Sequence, residues 1–148
     1  MGEHLWLGYA FASTVFWGMN CAFLEKLLEK NFPVTLLMAF ESCLALPLFL
    51  ALSLMQGTAK QGINMIMGDK NIIWLILAVS FSFLTATFFI FHSIQAKNAT
   101  LAGLVEVSYP IFTILFTWLF FRQFHLNLYS GIGGLLILSG IAVIYIKG

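Results

Sequence analysis

Two carboxylates stand inside long apolar runs: Glu41 in Ala39-Phe40-Glu41-Ser42-Cys43, and Glu106 in Leu104-Val105-Glu106-Val107-Ser108. A carboxylate is costly to hold charged among apolar groups, so it meets other polar groups or exchanges a proton. Glu106 has company. At helical spacing Gly103, Glu106, Tyr109, Pro110, Thr113 and Thr117 share one stripe, polar or small, while Val, Ile, Leu, Phe and Trp fill the rest. Pro110 also removes the amide that would bond the Glu106 carbonyl, loosening the backbone beside the carboxylate. Glu106 is therefore the candidate proton-coupling group; the plainer reading is a protonated carboxyl bonded to a neighbouring helix. Glu41 lies about one and a half turns into its run, shallow enough either to line a cavity or to reach an interface.

Other polar positions repeat at the same period. Tyr9, Ser13, Trp17 and Asn20 form one polar-aromatic face of the first run. Such a face lines a cavity and stacks on a solute, or it packs while Asn20 bonds a neighbour. Ser82, Thr85 and His92 share the third run, with His92 near its end as an interfacial or hydrogen-bonded histidine. The last run holds Gly131, Gly133, Gly134 and Gly140, with Gly133, Ile137 and Gly140 on one face. Small residues let helices approach closely in lipid, so Gly133, Ile137 and Gly140 are candidate dimer contacts. No nucleophile elbow, zinc-protease pair, phosphate loop or paired intramembrane aspartates is present, so no enzyme is expected. No cofactor and no metal site are expected either.

These residues need long helices to hold them. Of 148 residues, 61% are hydrophobic and 9% charged, against about 25% charged in soluble domains. So few charges cannot cover a water-facing surface. About 20 apolar residues cross the hydrocarbon core, and five runs qualify: 5–24, 35–55, 72–94, 100–121 and 128–146. A transmembrane barrel would need segments of about ten residues with alternating polarity; these runs are longer and continuously apolar. The expected fold is all-α, a bundle of five transmembrane helices forming a single membrane domain over 1–148. Between the second and third runs, Gln56 to Asn71 reads as a polar, glycine-containing loop. Charges starting at Glu25 end the first span, which as bounded here carries no carboxylate.

Smaller features fit an embedded chain. Cys21 and Cys43 lie in apolar runs and read as buried structural thiols, with no disulfide framework. Met1-Gly2-Glu3-His4 lacks a basic region, so the first run reads as a retained helix and not a cleaved leader. The sequon Asn98-Ala99-Thr100 sits hard against the membrane and carries little weight. A net charge of +1 suggests no nucleic-acid partner. Lys60, Lys70 and Arg122 share one side of the membrane, and Lys26, Lys30, Lys97 and Lys147 the other. A difference of one gives almost no orienting instruction.

The pattern resembles a single EamA-type unit of the drug/metabolite transporter superfamily over nearly the whole chain. The resemblance rests on Phe16-Trp17-Gly18-Met19-Asn20, Phe32-Pro33, the turn Ser93 to Leu104, Glu106-Val107-Ser108-Tyr109-Pro110-Ile111-Phe112-Thr113, and Gly134 to Ile141. Family members often carry a basic residue where Glu41 stands, and Gly-Glu where Arg122-Gln123 stands. They usually fuse two inverted five-helix units around a cavity. The resemblance thus implies half of a ten-helix inverted-repeat transporter in a bacterial or archaeal cytoplasmic membrane. It would pair as a homodimer, antiparallel if it reproduces the inversion, or with a homologous chain.

On this reading the chain moves small metabolites or drugs by alternating access. Tyr9, Ser13, Trp17, Asn20, Glu41, Glu106, Tyr109 and Thr113 would line the cavity. The rival is a non-transporting accessory subunit that pairs with a larger partner. The neutral charge bias leaves two readings, dual topology or one orientation decided by a dominant loop; on the dual-topology reading a reporter at the C-terminus gives signal on both sides of the membrane. Signal on one side alone would point to a parallel pair or an oppositely inserted partner.

Overall fold

Inside a bilayer no water is available to the backbone, so each amide and carbonyl must pair within its own segment. The chain answers with helices. A computed structural model describes residues 5–123 and 127–147. Met1-Gly2-Glu3-His4, Phe124-His125-Leu126 of the fourth connector, Gly148 and the side chains of Trp6 and Lys147 lie outside the described residues. The elements are α1 (Leu5–Leu28), α2 (Val34–Met55), α3 (Thr58–Gly68), α4 (Lys70–Ala96), α5 (Ala99–Glu106), α6 (Tyr109–Phe121) and α7 (Leu128–Lys147). No strand occurs among the described residues. Five stretches are long and apolar enough to cross a membrane: Leu7–Leu28, Val34–Met55, Lys70–Ala96, Ala99–Phe121 and Leu128–Ile146. The protein is a multi-pass integral membrane protein of the all-α class.

Two compact units share the chain. One takes residues up to Glu25 together with those from Ser93 onward; the other is Lys26–His92. Little side-chain surface is buried in either. Leu24, Ile94, Ala99 and Ala102 are buried in the first, and Leu28, Val34, Thr87 and Phe91 in the second. Most large apolar side chains of the spans are exposed, as surfaces covered by lipid tails should be.

The first helix overshoots the sequence boundary by one turn. Charges at Glu25 and Lys26 do not stop it, because a helix leaving the hydrocarbon can carry charge. Lys26 Nζ pairs with Glu29 Oε1 at 2.6 Å across i, i+3, a spacing that supports a helix end. Asn31 (φ 58°) closes the turn in the left-handed region, where Asn is tolerated. In α6 the end is similar: Arg122 (φ 56°) is left-handed, and its guanidinium lies 5.6 Å from the Trp118 ring centre. Asn127 opens α7 by accepting the Ser130 amide through Oδ1 at 2.8 Å.

The fourth span is two helices. Pro110 leaves the Glu106 carbonyl without its usual donor, and the chain breaks at Val107–Ser108. Tighter bonds bridge the gap: Ser108 N to Val105 O at 3.1 Å and Ile111 N to Ser108 O at 3.0 Å. Hydroxyls in the spans mostly bond their own helix, as Ser42 does to Met38 O and Thr87 to Phe83 O. A hydroxyl so bonded can sit in hydrocarbon without an outside partner.

The polar loop between α2 and α4 contains an amphipathic helix instead, α3. Ala59, Ile63 and Ile66 share one face, and Lys60, Gln61 and Asn64 the other. The helical period of these residues lies within a segment whose polarity alone reads as a loop. Gly57 (φ 71°) makes the sharp entry from α2, where a side chain would be strained. Asp69 then starts α4 by accepting the Asn71 amide through Oδ1 at 2.8 Å. Ile63 and Ile66 remain exposed two short turns from membrane spans. The physics of such a helix places its apolar face in the headgroup boundary. A fluorophore on a cysteine at Ile66 should be quenched by lipids brominated near the headgroup, and one at Asn64 by aqueous iodide. Equal iodide quenching at both positions would show α3 free in water.

Candidate functional site

The first unit forms a half-open cavity of about 590 Å³. Its α1 wall is Ser13, Thr14, Trp17, Gly18, Cys21, Ala22 and Glu25, a single face advancing by three and four residues. Facing it are Ala99, Thr100, Gly103 and Glu106 of α5, with Val107 and Tyr109 at the break. Gly18 and Gly103 keep the space open: a Cβ on either would meet nothing within 4 Å.

Two hydrogen bonds from α1 hold the ends of α5. Trp17 Nε1 donates to Glu106 Oε2 at 3.2 Å, at the last residue of that helix. Glu25 Oε2 accepts the Ala99 amide at 2.8 Å, at its first. Asn98 adds a local cap, its Oδ1 taking the Leu101 amide at 2.8 Å. That bond gives the residue of the sequon a structural role as N-cap. Seven residue steps separate Ala99 from Glu106, about 10 Å along the axis. The two carboxylates therefore stand at opposite ends of the α5 wall.

Of the residues singled out in the sequence, Ser13, Trp17, Glu106 and Tyr109 line this cavity together. Tyr9 is 76% exposed and Asn20 is exposed; neither is in the lining, because the α1 face turns through Cys21 instead. Thr113 lines a second cavity with Tyr109, Pro110, Gly133 and Ile137 between α6 and α7. Its hydroxyl bonds the Tyr109 carbonyl at 3.1 Å. Gly133 and Gly140 face open space, whereas a Cβ on Gly134 would lie 3.7 Å from Ile111. Glu41 belongs to the other unit, in a pocket of about 120 Å³ with Met38, Ser42, Ala45, Phe83, Leu84 and Thr87. His92 Nδ1 is 2.9 Å from the Phe88 carbonyl, with its ring tilted on the Phe88 ring. Cys21 is half-buried, Cys43 is exposed, and both are free thiols.

Glu25 is the functional candidate that sequence reasoning missed. It had been assigned to a connector, yet α1 runs to Leu28 and so includes it. The first membrane helix thus carries a carboxylate after all. The signal was the series Ser13, Trp17, Cys21, Glu25, one residue every four.

The fold and this site define a polytopic helical membrane protein with a polar cavity that opens between membrane-spanning segments. The chain belongs to the EamA-like transporter family, whose description matches residues 4–146. No curated protein and no solved structure matches it.

Glu25→Ala removes a charged acceptor from a half-buried amide and should lower stability by about 1–2 kcal/mol. Unfolding in a titration of denaturing detergent measures it. Glu25→Gln keeps an acceptor oxygen and should lose less.

Proposed function

We propose that this chain carries small organic solutes across the membrane, with the cavity between α1 and α5 as the solute site. The observation that carries the reading is the Trp17–Glu106 pair in a cavity lined by Ser13, Thr14 and Tyr109. Polar and ionisable groups in membrane spans are costly, so they are retained mainly where they face a pathway or a partner. The interrupted fourth span supports it too: discontinuous helices beside a midplane cavity are a recurring way to build a transport site.

Alternating access needs a second unit to rock against. A second copy of the chain supplies it, inserted the opposite way if both orientations are made. Gly133, Ile137 and Gly140 are the α7 positions proposed to meet it. Glu106 is the coupling carboxylate: it takes up a proton on one side and releases it on the other.

Purified chain in liposomes should move solute in a pH-dependent manner. Glu106→Gln should abolish the pH dependence while leaving the dimer intact on size analysis; unchanged transport in that variant would refute the role. Gly103→Leu should narrow the cavity without a clash at the Cβ and slow uptake with the protein still folded. Normal uptake by Gly103→Leu would move the solute site elsewhere.

A further inference from the structure

We infer that the α1–α5 cavity selects positively charged organic solutes and rejects anions, an inference that rests on this cavity being the solute site. Among the described residues, its lining includes two acids, Glu25 and Glu106, and no Lys, Arg or His. A cavity walled by low-dielectric groups focuses the field of its charges, so one sign of solute is concentrated and the other repelled.

One feature of the wall would favour an anion. The N-terminus of α5, at Ala99 and Thr100, presents backbone amides and the positive end of a helix dipole. Helix starts of this kind bind phosphate and carboxylate groups. Here the position is filled from within the chain. Glu25 Oε2 holds the Ala99 amide at 2.8 Å and Asn98 Oδ1 the Leu101 amide at 2.8 Å. A solute carboxylate or phosphate would have to displace a carboxylate already in place.

At the other end of α5 the balance runs the opposite way. Glu106 bonds the indole of Trp17, a neutral donor, so that hydrogen bond does not cancel the carboxylate's charge. Trp17 and Tyr109 add aromatic rings to the lining, and ring faces attract ammonium and guanidinium groups. The size of the cavity, about 590 Å³, lies in the range of sites for organic ligands and far exceeds that of a bare ion. A protonated amine or a guanidinium, with its charge at Glu106 and its apolar body on Trp17, fits these groups.

Cys21 lies in the lining and reports the local field directly. In a Cys43→Ser background it is the chain's remaining thiol. The test compares its modification by trimethylammonium-ethyl and sulfonato-ethyl methanethiosulfonate in proteoliposomes. Each rate is divided by that of the same reagent with a free small thiol, so the ionisation of Cys21 cancels in the ratio. The cationic reagent should be favoured by about tenfold. Glu106→Gln should shrink that preference, and Glu25→Ala, which uncovers the α5 amides, should raise the anionic rate. Equal rates, or a faster anionic reagent in the unaltered cavity, would overturn the inference while leaving transport standing. Reaction with a neutral permeant reagent alone would show a cavity closed to water. In that case the transport reading itself falls.

Discussion

The constraint on which everything else here depends is the absence of water around the backbone in the bilayer. An amide or carbonyl without a partner costs several kcal/mol there, so a break in a helix is tolerated only where something else supplies the bond. The break at Val107–Ser108 meets that condition in two ways. Tighter backbone bonds cross it, and the short helix before it is held at both ends by side chains of α1. Pro110 creates the interruption, and the same interruption sets Glu106 at a helix end beside an open cavity.

The anchoring of α5 ties position to chemistry. Glu25 and Trp17 stand two turns apart on α1 and meet the first and last residues of α5. The groups that fix this helix are the groups that give the cavity its polarity. Such double use suits a chain with few charges, 9% of its residues, because each polar group held within a span must satisfy a partner as well as serve a site.

Much of this was legible in the sequence. Five apolar runs define the spans, because span length is set by membrane thickness and helical rise. The Glu106 stripe and Pro110 pointed to the loosened fourth span, since the proline's missing amide has a fixed consequence four residues earlier. What was not legible depended on where segments end and which faces meet. Glu25 was read as a stop because charge usually marks the interface, yet a cavity wall can carry a charge as well. The α1 face could not be fixed by spacing alone: series through Asn20 and through Cys21 diverge by a single residue, and only packing against α5 decides. In the Gln56–Asn71 segment, composition and period gave opposite signals, and the period reflected the structure, α3.

The spans are also unequal in length. The apolar stretch of α7 is 19 residues, and α4 runs for 27, about 29 Å against about 40 Å at the helical rise. A hydrocarbon layer of about 30 Å accommodates the first upright and the second only by tilting or protruding. The lipid environment is therefore matched to one helix and mismatched to the other. Any movement that changes the tilt of α4 carries an elastic cost set by the membrane's thickness. A thicker, more ordered bilayer favours an upright α4 and a thinner one an inclined α4, so lipid composition enters the energetics of the protein as a mechanical variable.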